Sequence, residues 1–293
     1  MGKELADQYP VARETFEEAD TALGMSLSRL CFEGPEEELR RTEITQPSIL
    51  TVSVATWRVL AGQGVKPAWV AGHSLGEYSA HVAAGTLSFA DAVRTVRNRG
   101  RYMQEAVPAG VGAMAAILGM EAGKVRAICG DAARGEVCEA ANMNSPEQVV
   151  ISGHKAAVER AVTMATEQGA KKAVILPVSA PFHCSLMRPA QERLAQDFGA
   201  LQFQDPVTPV VCNVDAAIVA TADTSRDALV RQVTGTVRWD ESVRNLIAEG
   251  AETFVEVGPG KVLWGLMRQI DRSKTSWQTS DDASLQKALQ GLA

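Results

Sequence analysis

The sequence predicts an α/β protein: a large α/β-hydrolase-like lobe with a parallel sheet, and a small ferredoxin-like subdomain inserted into it. Three observations predict this. Short apolar runs alternate with segments of helical period along most of the 293 residues, which implies parallel strands joined by helices. Gly72-His73-Ser74-Leu75-Gly76 follows one such run and precedes a helical segment, the strand-turn-helix context in which a G-x-S-x-G turn is used. Past Gly112 the order becomes β-α-β-β-α-β, the ferredoxin-like unit, in a stretch short enough to be an insertion.

Taken in order, Val11 to Leu30 and Gln46 to Leu60 carry apolar residues at helical spacing, and Ser48 to Ala61 is rich in small and β-branched residues, as in a buried helix. Ala68 to Ala71 reads as a strand and Glu77 to Ala84 as a helix. A further helix starts after the N-cap Ser88 and runs through Ala106, broken by Pro108-Ala109-Gly110. The insert then reads as strand (Ala113 to Leu118), helix (Ala122 to Ala133), strand (Val137 to Asn142), strand (Gln148 to Ser152), helix (Lys155 to Gln168) and strand (Ala173 to Pro177). After it come a helix from Arg188 to Phe198, a strand around Val210 to Asn213, a helix from Asp240 to Ala248, the strand Thr253 to Val257, and a last helix beyond Gly258-Pro259-Gly260. The expected lobes are residues 1–109 with 180–293, and 110–179.

Composition excludes several classes. With 46% hydrophobic and 22% charged residues the chain can bury a core and is not disordered. Its 29 Lys and Arg against 35 Asp and Glu give a net charge of -6, which argues against nucleic acid as a partner. The five cysteines are odd in number, widely spaced and without a C-x-x-C pair, which argues against a disulfide framework and a zinc site and fits a reducing cytoplasm. No stretch approaches the ~18 apolar residues of a membrane span, and the N-terminus has no apolar export segment. Met1-Gly2 is not a myristoylation signal, because Ala6 stands where Ser or Thr is required. Without heptads or a long apolar helix face, the expectation is a monomer.

The chemistry centres on Ser74. At the start of a helix it is either a nucleophile, with the Leu75 N–H and the helix dipole facing a developing oxyanion, or a serine that only caps a tight turn. A nucleophilic serine needs a base, and there are four histidines. His73 is locked beside Ser74, His81 lies two turns along the same helix and His154 belongs to the insert. His183 remains, in a loop where the chain returns to the large lobe; base and ordinary loop histidine are both open readings. An α/β-hydrolase places its histidine late in the chain, whereas here more than a third of the chain follows His183, which weakens a simple esterase reading. A backbone carbonyl can hold the imidazole tautomer in place of an acidic third member. Arg94, Arg97, Arg99 and Arg101 share one helix, either as a solvated basic face or with one of them gripping a carboxylate. Gly258-Pro259-Gly260-Lys261 has the wrong spacing for a phosphate-binding loop.

These pieces together resemble the malonyl-CoA:acyl carrier protein transacylases of fatty acid synthesis and their acyltransferase relatives inside polyketide synthases. The resemblance rests on Gln46-Pro47, Gly72 to Ala80, Arg99-Gly100 with Met103-Gln104, Asn142 to Pro146 with the strand Val149 to Gly153, Pro181 to His183, Asn213-Val214-Asp215, and Glu256 to Gly260. It implies a ping-pong transfer through a malonyl ester of Ser74 with His183 as base, and no metal or redox cofactor; malonyl-CoA and the phosphopantetheinyl carrier protein are substrates. It also implies that Leu75 N–H donates to the oxyanion, that Gln232 orients His183, and that Arg99 grips the malonyl carboxylate. Gln46, His73, Phe182 and Asn142 join Arg99 as substrate-binding positions. Phe182 and Leu75 match malonyl-selective relatives. Carrier proteins are acidic, so a basic patch at Lys171-Lys172 or Arg188 is expected.

The family opens with an apolar strand and a Gly-Gln-Gly-Ser-Gln segment whose first glutamine is a second oxyanion donor, and Met1 to Leu5 matches the stretch just downstream. The resemblance therefore implies that a chain starting at Met1 lacks a core strand and a donor worth about 10²–10³ in rate. Transfer, hydrolysis by the same dyad, and an inactive homologue that binds acyl-CoA or carrier protein all remain open.

Overall fold

The computed structural model describes residues 1–178 and 180–292. The chain starts with helices α1 (Lys3–Gln8), α2 (Pro10–Leu23), α3 (Leu27–Glu33) and the single turn α4 (Glu36–Leu39). The helix expected from Val11 to Leu30 is thus two helices, because Gly24 takes a left-handed backbone (φ 62°) and caps α2. Next is α5 (Thr42–Gly62), where Ser48, Leu50, Thr51, Val52, Val54 and Ala55 are all buried, so neighbours cover it on several sides. Strand β1 (Val70–Ala71), α6 (Gly76–Ala83) and α7 (Phe89–Glu105) follow. Ser88 caps α7 as expected, its side chain accepting from the Asp91 N–H at 3.0 Å.

The insert comprises β2 (Gly112–Leu118), α8 (Ala122–Ala133), β3 (Cys138–Ser145), β4 (Gln148–His154), α9 (Lys155–Glu167) and β5 (Lys172–Ile175). Its sheet runs β3-β4-β2-β5 with every pairing antiparallel, the ferredoxin-like arrangement. Ile117, Ile128, Val149, Ile151 and Val158 give it a core of its own. It is tied to the rest of the chain by backbone: Met143 N–H donates to Val237 O and Val237 N–H to Ala141 O, each at 2.8 Å.

Beyond the insert lie a short 3-10 turn (Ser185–Met187), α10 (Arg188–Gly199), β6 (Val210–Val211), β7 (Ile218–Val219), α11 (Ala222–Gln232), α12 (Trp239–Ala248), β8 (Thr253–Glu256), α13 (Val262–Ile270), β9 (Thr275–Gln278) and α14 (Asp282–Leu292). The parallel pairing expected of the large lobe is found in β1 with β6 and in β8 with β9, while β7 is an antiparallel edge on β6. Strands β1 and β8 both border a cavity of about 480 Å³, lined by Trp57, Val70, Ala71, Phe254, Val255 and Trp277 among others. The main core joins α2, α5, α7 and α10 through Phe16, Leu50, Leu60, Met103, Leu194 and Phe198.

His81, on α6, is fully buried and neither ring nitrogen has a partner among the described residues. Burial pushes its pKa down from 6.5 to about 3. The folded state therefore holds it neutral while the unfolded chain takes up a proton below 6.5, so its contribution to stability is present above 6.5 and lost as pH falls toward 3. In His81→Leu, the slope of unfolding free energy against pH in acid should be shallower by one proton, about 1.4 kcal/mol per pH unit. Denaturant titrations of both proteins at several acidic pH values check this; parallel slopes would contradict it.

Candidate active site

The turn between β1 and α6 has a steric cause. A Cβ placed on Gly72 would lie 1.9 Å from the Gly76 carbonyl oxygen, so only glycine lets the two ends of the turn approach. Ser74, between them, has a left-handed backbone with φ 52°, a conformation costing a non-glycine residue about 1–2 kcal/mol. Hydrogen bonds hold it there. Its N–H donates to Asn213 Oδ1 at 2.7 Å and its carbonyl accepts from Gln232 Nε2 at 2.8 Å.

His183 reaches this turn from the segment between β5 and α10, also with a left-handed backbone (φ 56°). Its Nε2 is 2.6 Å from Ser74 Oγ, and its Nδ1 is 2.9 Å from the backbone carbonyl of Gln232. A carbonyl only accepts, so Nδ1 carries the proton and Nε2 is free to take one from the serine. Burial, then the nearby Arg99 charge, pushes the pKa of His183 down to about 3 and keeps the ring neutral. Gln232 thus orients the imidazole through its main chain, while its side chain serves Ser74 and Arg99. Among the described residues no carboxylate bonds to the imidazole.

Arg99, on α7, is 2% exposed. It donates to Gln46 Oε1 at 2.7 Å, Gln232 Oε1 at 3.0 Å and Ser74 Oγ at 3.1 Å, and its guanidinium lies over the Tyr78 ring. Among the described residues no carboxylate is within ion-pair distance of it, whereas Arg94 pairs with Asp91 outside the site. Its position follows from Gly100, where a Cβ would lie 2.6 Å from Thr42 O: α7 is pressed against the start of α5, which brings Arg99 to Gln46.

A cavity of about 200 Å³ opens onto these groups, with Gln46, His73, Ser74, Leu75, Arg99 and Phe182 on its wall. The larger cavity bordered by β1 and β8 includes none of Ser74, Arg99 and His183 and lies behind the turn. His73 points from Ser74 toward Asn144 Oδ1, 2.8 Å from its Nε2. Asn142 is not on the wall; it sits in β3 where the backbone bridges to Val237, and Asn144, two residues along the strand, makes the contact to His73. His154 accepts from the Val137 N–H in the insert, and among the described residues His81 has no hydrogen-bond partner, so neither bonds to the serine. The Leu75 N–H finds no acceptor among the described residues. Lys171 is paired with Glu147 at 2.8 Å rather than free.

The sequence reading missed Asn213 and Glu77 as site residues, although both lie in segments it singled out. Glu77 is fully buried, with Oε2 accepting from Gln232 Nε2 at 2.8 Å and from the Asn213 N–H at 3.0 Å. Burial pushes its carboxyl up to about 7, against the opposing effect of these hydrogen bonds and of Arg99.

A serine presented at a helix start, a neutral histidine held by a carbonyl and a buried arginine with no ion pair among the described residues are the groups that a serine-dependent acyl transfer calls for. Residues 1–286 match the model of the acyl transferase domain family, and the chain belongs to that family. It is 51% identical over 290 residues to the malonyl CoA-acyl carrier protein transacylase of Salmonella typhimurium, covering 99% of this chain and 94% of the relative. The same-named structure from Coxiella burnetii superposes with a TM-score of 0.97 at 45% identity, covering 100% of this chain and 93% of that one. A malonyl-transacylase solved in complex with its type II polyketide synthase acyl-carrier protein has a TM-score of 0.97 at 46% identity, with 99% and 94% covered.

Gly72→Ala should break the turn. Sulfonylation of Ser74 by phenylmethylsulfonyl fluoride, followed by intact mass, should slow about 100-fold or more because the hydroxyl leaves its place beside His183. A wild-type rate would remove the steric argument.

Proposed function

We propose that this chain transfers the malonyl group from malonyl-CoA to the phosphopantetheine thiol of acyl carrier protein, in two half-reactions through a malonyl ester of Ser74. Arg99 carries the reading. A buried guanidinium without a carboxylate of its own, 3.1 Å from the serine hydroxyl, suits an acyl group that itself ends in a carboxylate. An acetyl group would leave it unpaired, which disfavours that substrate.

In the first half-reaction Ser74 Oγ attacks the thioester carbonyl and its proton passes to His183 Nε2. The carbonyl oxygen takes up the negative charge and accepts from the Leu75 N–H at the start of α6. Collapse breaks the carbon–sulfur bond, and the CoA sulfur leaves with the proton from His183. In the second, His183 takes the proton of the carrier thiol, the sulfur attacks the malonyl ester, and the proton returns to Ser74 as the ester bond breaks. Every step is a proton or acyl transfer, so the reading needs no metal or redox cofactor. Gln46, with Gln232, holds Arg99 in place, and Phe182, Leu75 and His73 shape the cavity for the short unbranched malonyl group.

The same reading takes residues 1–109 with 180–293 as the catalytic lobe and 110–179 as the inserted subdomain, supported by the separate core of the insert. It takes the protein as a cytoplasmic monomer, supported by five free cysteines and by a site assembled within one chain. Among the described residues no helix is long and apolar enough to cross a membrane.

Mixing with malonyl-CoA should add one malonyl group to the intact mass, Ser74→Ala should add none, and holo carrier protein should discharge the adduct to itself. Arg99→Ala should lower the preference for malonyl-CoA over acetyl-CoA about 100-fold, in line with the loss of a buried charge pair. An unchanged ratio, or an adduct discharged only to water, would overturn the reading.

A further inference from the structure

Among the described residues, Glu77 and Arg99 are the only Asp, Glu, Lys or Arg side chains that are buried. They are not in contact. The Gln232 amide stands between them, its Oε1 accepting from Arg99 at 3.0 Å and its Nε2 donating to Glu77 Oε2 at 2.8 Å. The same Glu77 oxygen accepts from the Asn213 N–H at 3.0 Å. Asn213 and Gln232 are in turn the two side chains that, among the described residues, hold the Ser74 backbone, one at its N–H and one at its carbonyl, which also accepts from the Glu77 N–H at 3.2 Å. One carboxylate oxygen therefore braces both clamps on the strained serine. Glu77 Oε1 has no partner among the described residues.

We propose that Glu77 is a positioning residue with two separable effects: its Oε2 fixes the clamps that place Ser74, and its charge, relayed through Gln232, offsets Arg99 until a substrate carboxylate arrives. The first effect depends on where the oxygen sits. A shorter side chain withdraws it and frees Gln232 and Asn213, and with them the serine. The second depends on charge alone. Because Glu77 and an incoming carboxylate both act on the same guanidinium, the ionised residue weakens the binding of an anionic acyl group, and neutralising it strengthens that binding. This second effect rests on the malonyl reading above; the first does not.

Two conservative variants separate the effects at pH 8, where the carboxyl is largely ionised. Glu77→Asp keeps the charge and pulls the oxygen back, so sulfonylation of Ser74 by phenylmethylsulfonyl fluoride and kcat for malonyl loading should both fall about tenfold or more. Glu77→Gln keeps an acceptor oxygen in place and removes the charge, so KM for malonyl-CoA should fall about threefold or more while sulfonylation and kcat fall less than in Glu77→Asp. A residue that merely supported the fold would not split kcat from KM in this way. Thermal melts confirm that each variant is folded at the assay temperature. Wild-type sulfonylation by Glu77→Asp would overturn the clamp, and an unchanged KM in Glu77→Gln would overturn the charge link. If the wild type is sulfonylated at Ser74 yet takes no malonyl group, the malonyl reading and the charge link both fall, and the sulfonylation rates alone decide the clamp.

Discussion

A guanidinium removed from water and given no carboxylate to touch is the constraint on which this site depends. Burying such a charge is costly unless its N–H groups are met, and the two terminal nitrogens of Arg99 meet side-chain oxygens of Gln46, Gln232 and Ser74 from α5, α11 and the Gly72–Gly76 turn, while Nε has no partner among the described residues. To satisfy it, those elements must converge to within hydrogen-bond distance, and the close approach at Gly100 is part of the same requirement. The placement of Ser74 is thus tied to one electrostatic demand, met on a packing that the apolar core supplies.

Burial, reinforced by the same charge, sets the character of the histidine. With water excluded and Arg99 close by, the imidazole gives up its proton far more readily than in solution and stays neutral. On the proposed reading, protonating it beside a guanidinium is unfavourable until negative charge appears on the acyl oxygen, which would tie proton transfer to bond formation. A carbonyl suffices behind Nδ1 because the ring needs a fixed tautomer and orientation more than a second negative charge. A carboxylate there would have raised the basicity that Arg99 lowers.

Much of this was legible in the sequence because the signals were local. The G-x-S-x-G turn, the Ser88 cap and the six elements of the insert each declare themselves within a few residues, by period, by a capping hydroxyl or by a glycine. Helix α11 did not: Ala222–Gln232 is mostly polar, with little apolar stripe beyond Ala228, Leu229 and Val230, and is started by a Thr221–Thr224 capping box. That helix supplies Gln232, which only the family resemblance placed at the site. The two-residue strand β7 and the late pair β9 and α14 escape for a similar reason, since their pairing partners are distant or their runs too short for periodicity, whereas β6 falls inside the apolar run expected from Val210 to Asn213. The network around Glu77 is illegible in principle, because it joins residues 136 and 155 positions apart and nothing local marks a glutamate as buried.

Contact between Ser74 and His183 closes a loop of 109 residues, and that between Ser74 and Gln232 one of 158. The insert folds on its own short-range pairings within the first of these loops, so it forms its sheet without reference to the chemistry around it. The catalytic cluster instead belongs to the slow class of contacts, whose chain entropy is lost before any stabilisation returns. Contact order thus predicts that helices and the insert assemble early in a refolding chain and that reactivity at Ser74 arrives last, when both distant segments have docked on the turn. On that order, recovery of activity marks the completed tertiary structure, where helical content marks its beginning.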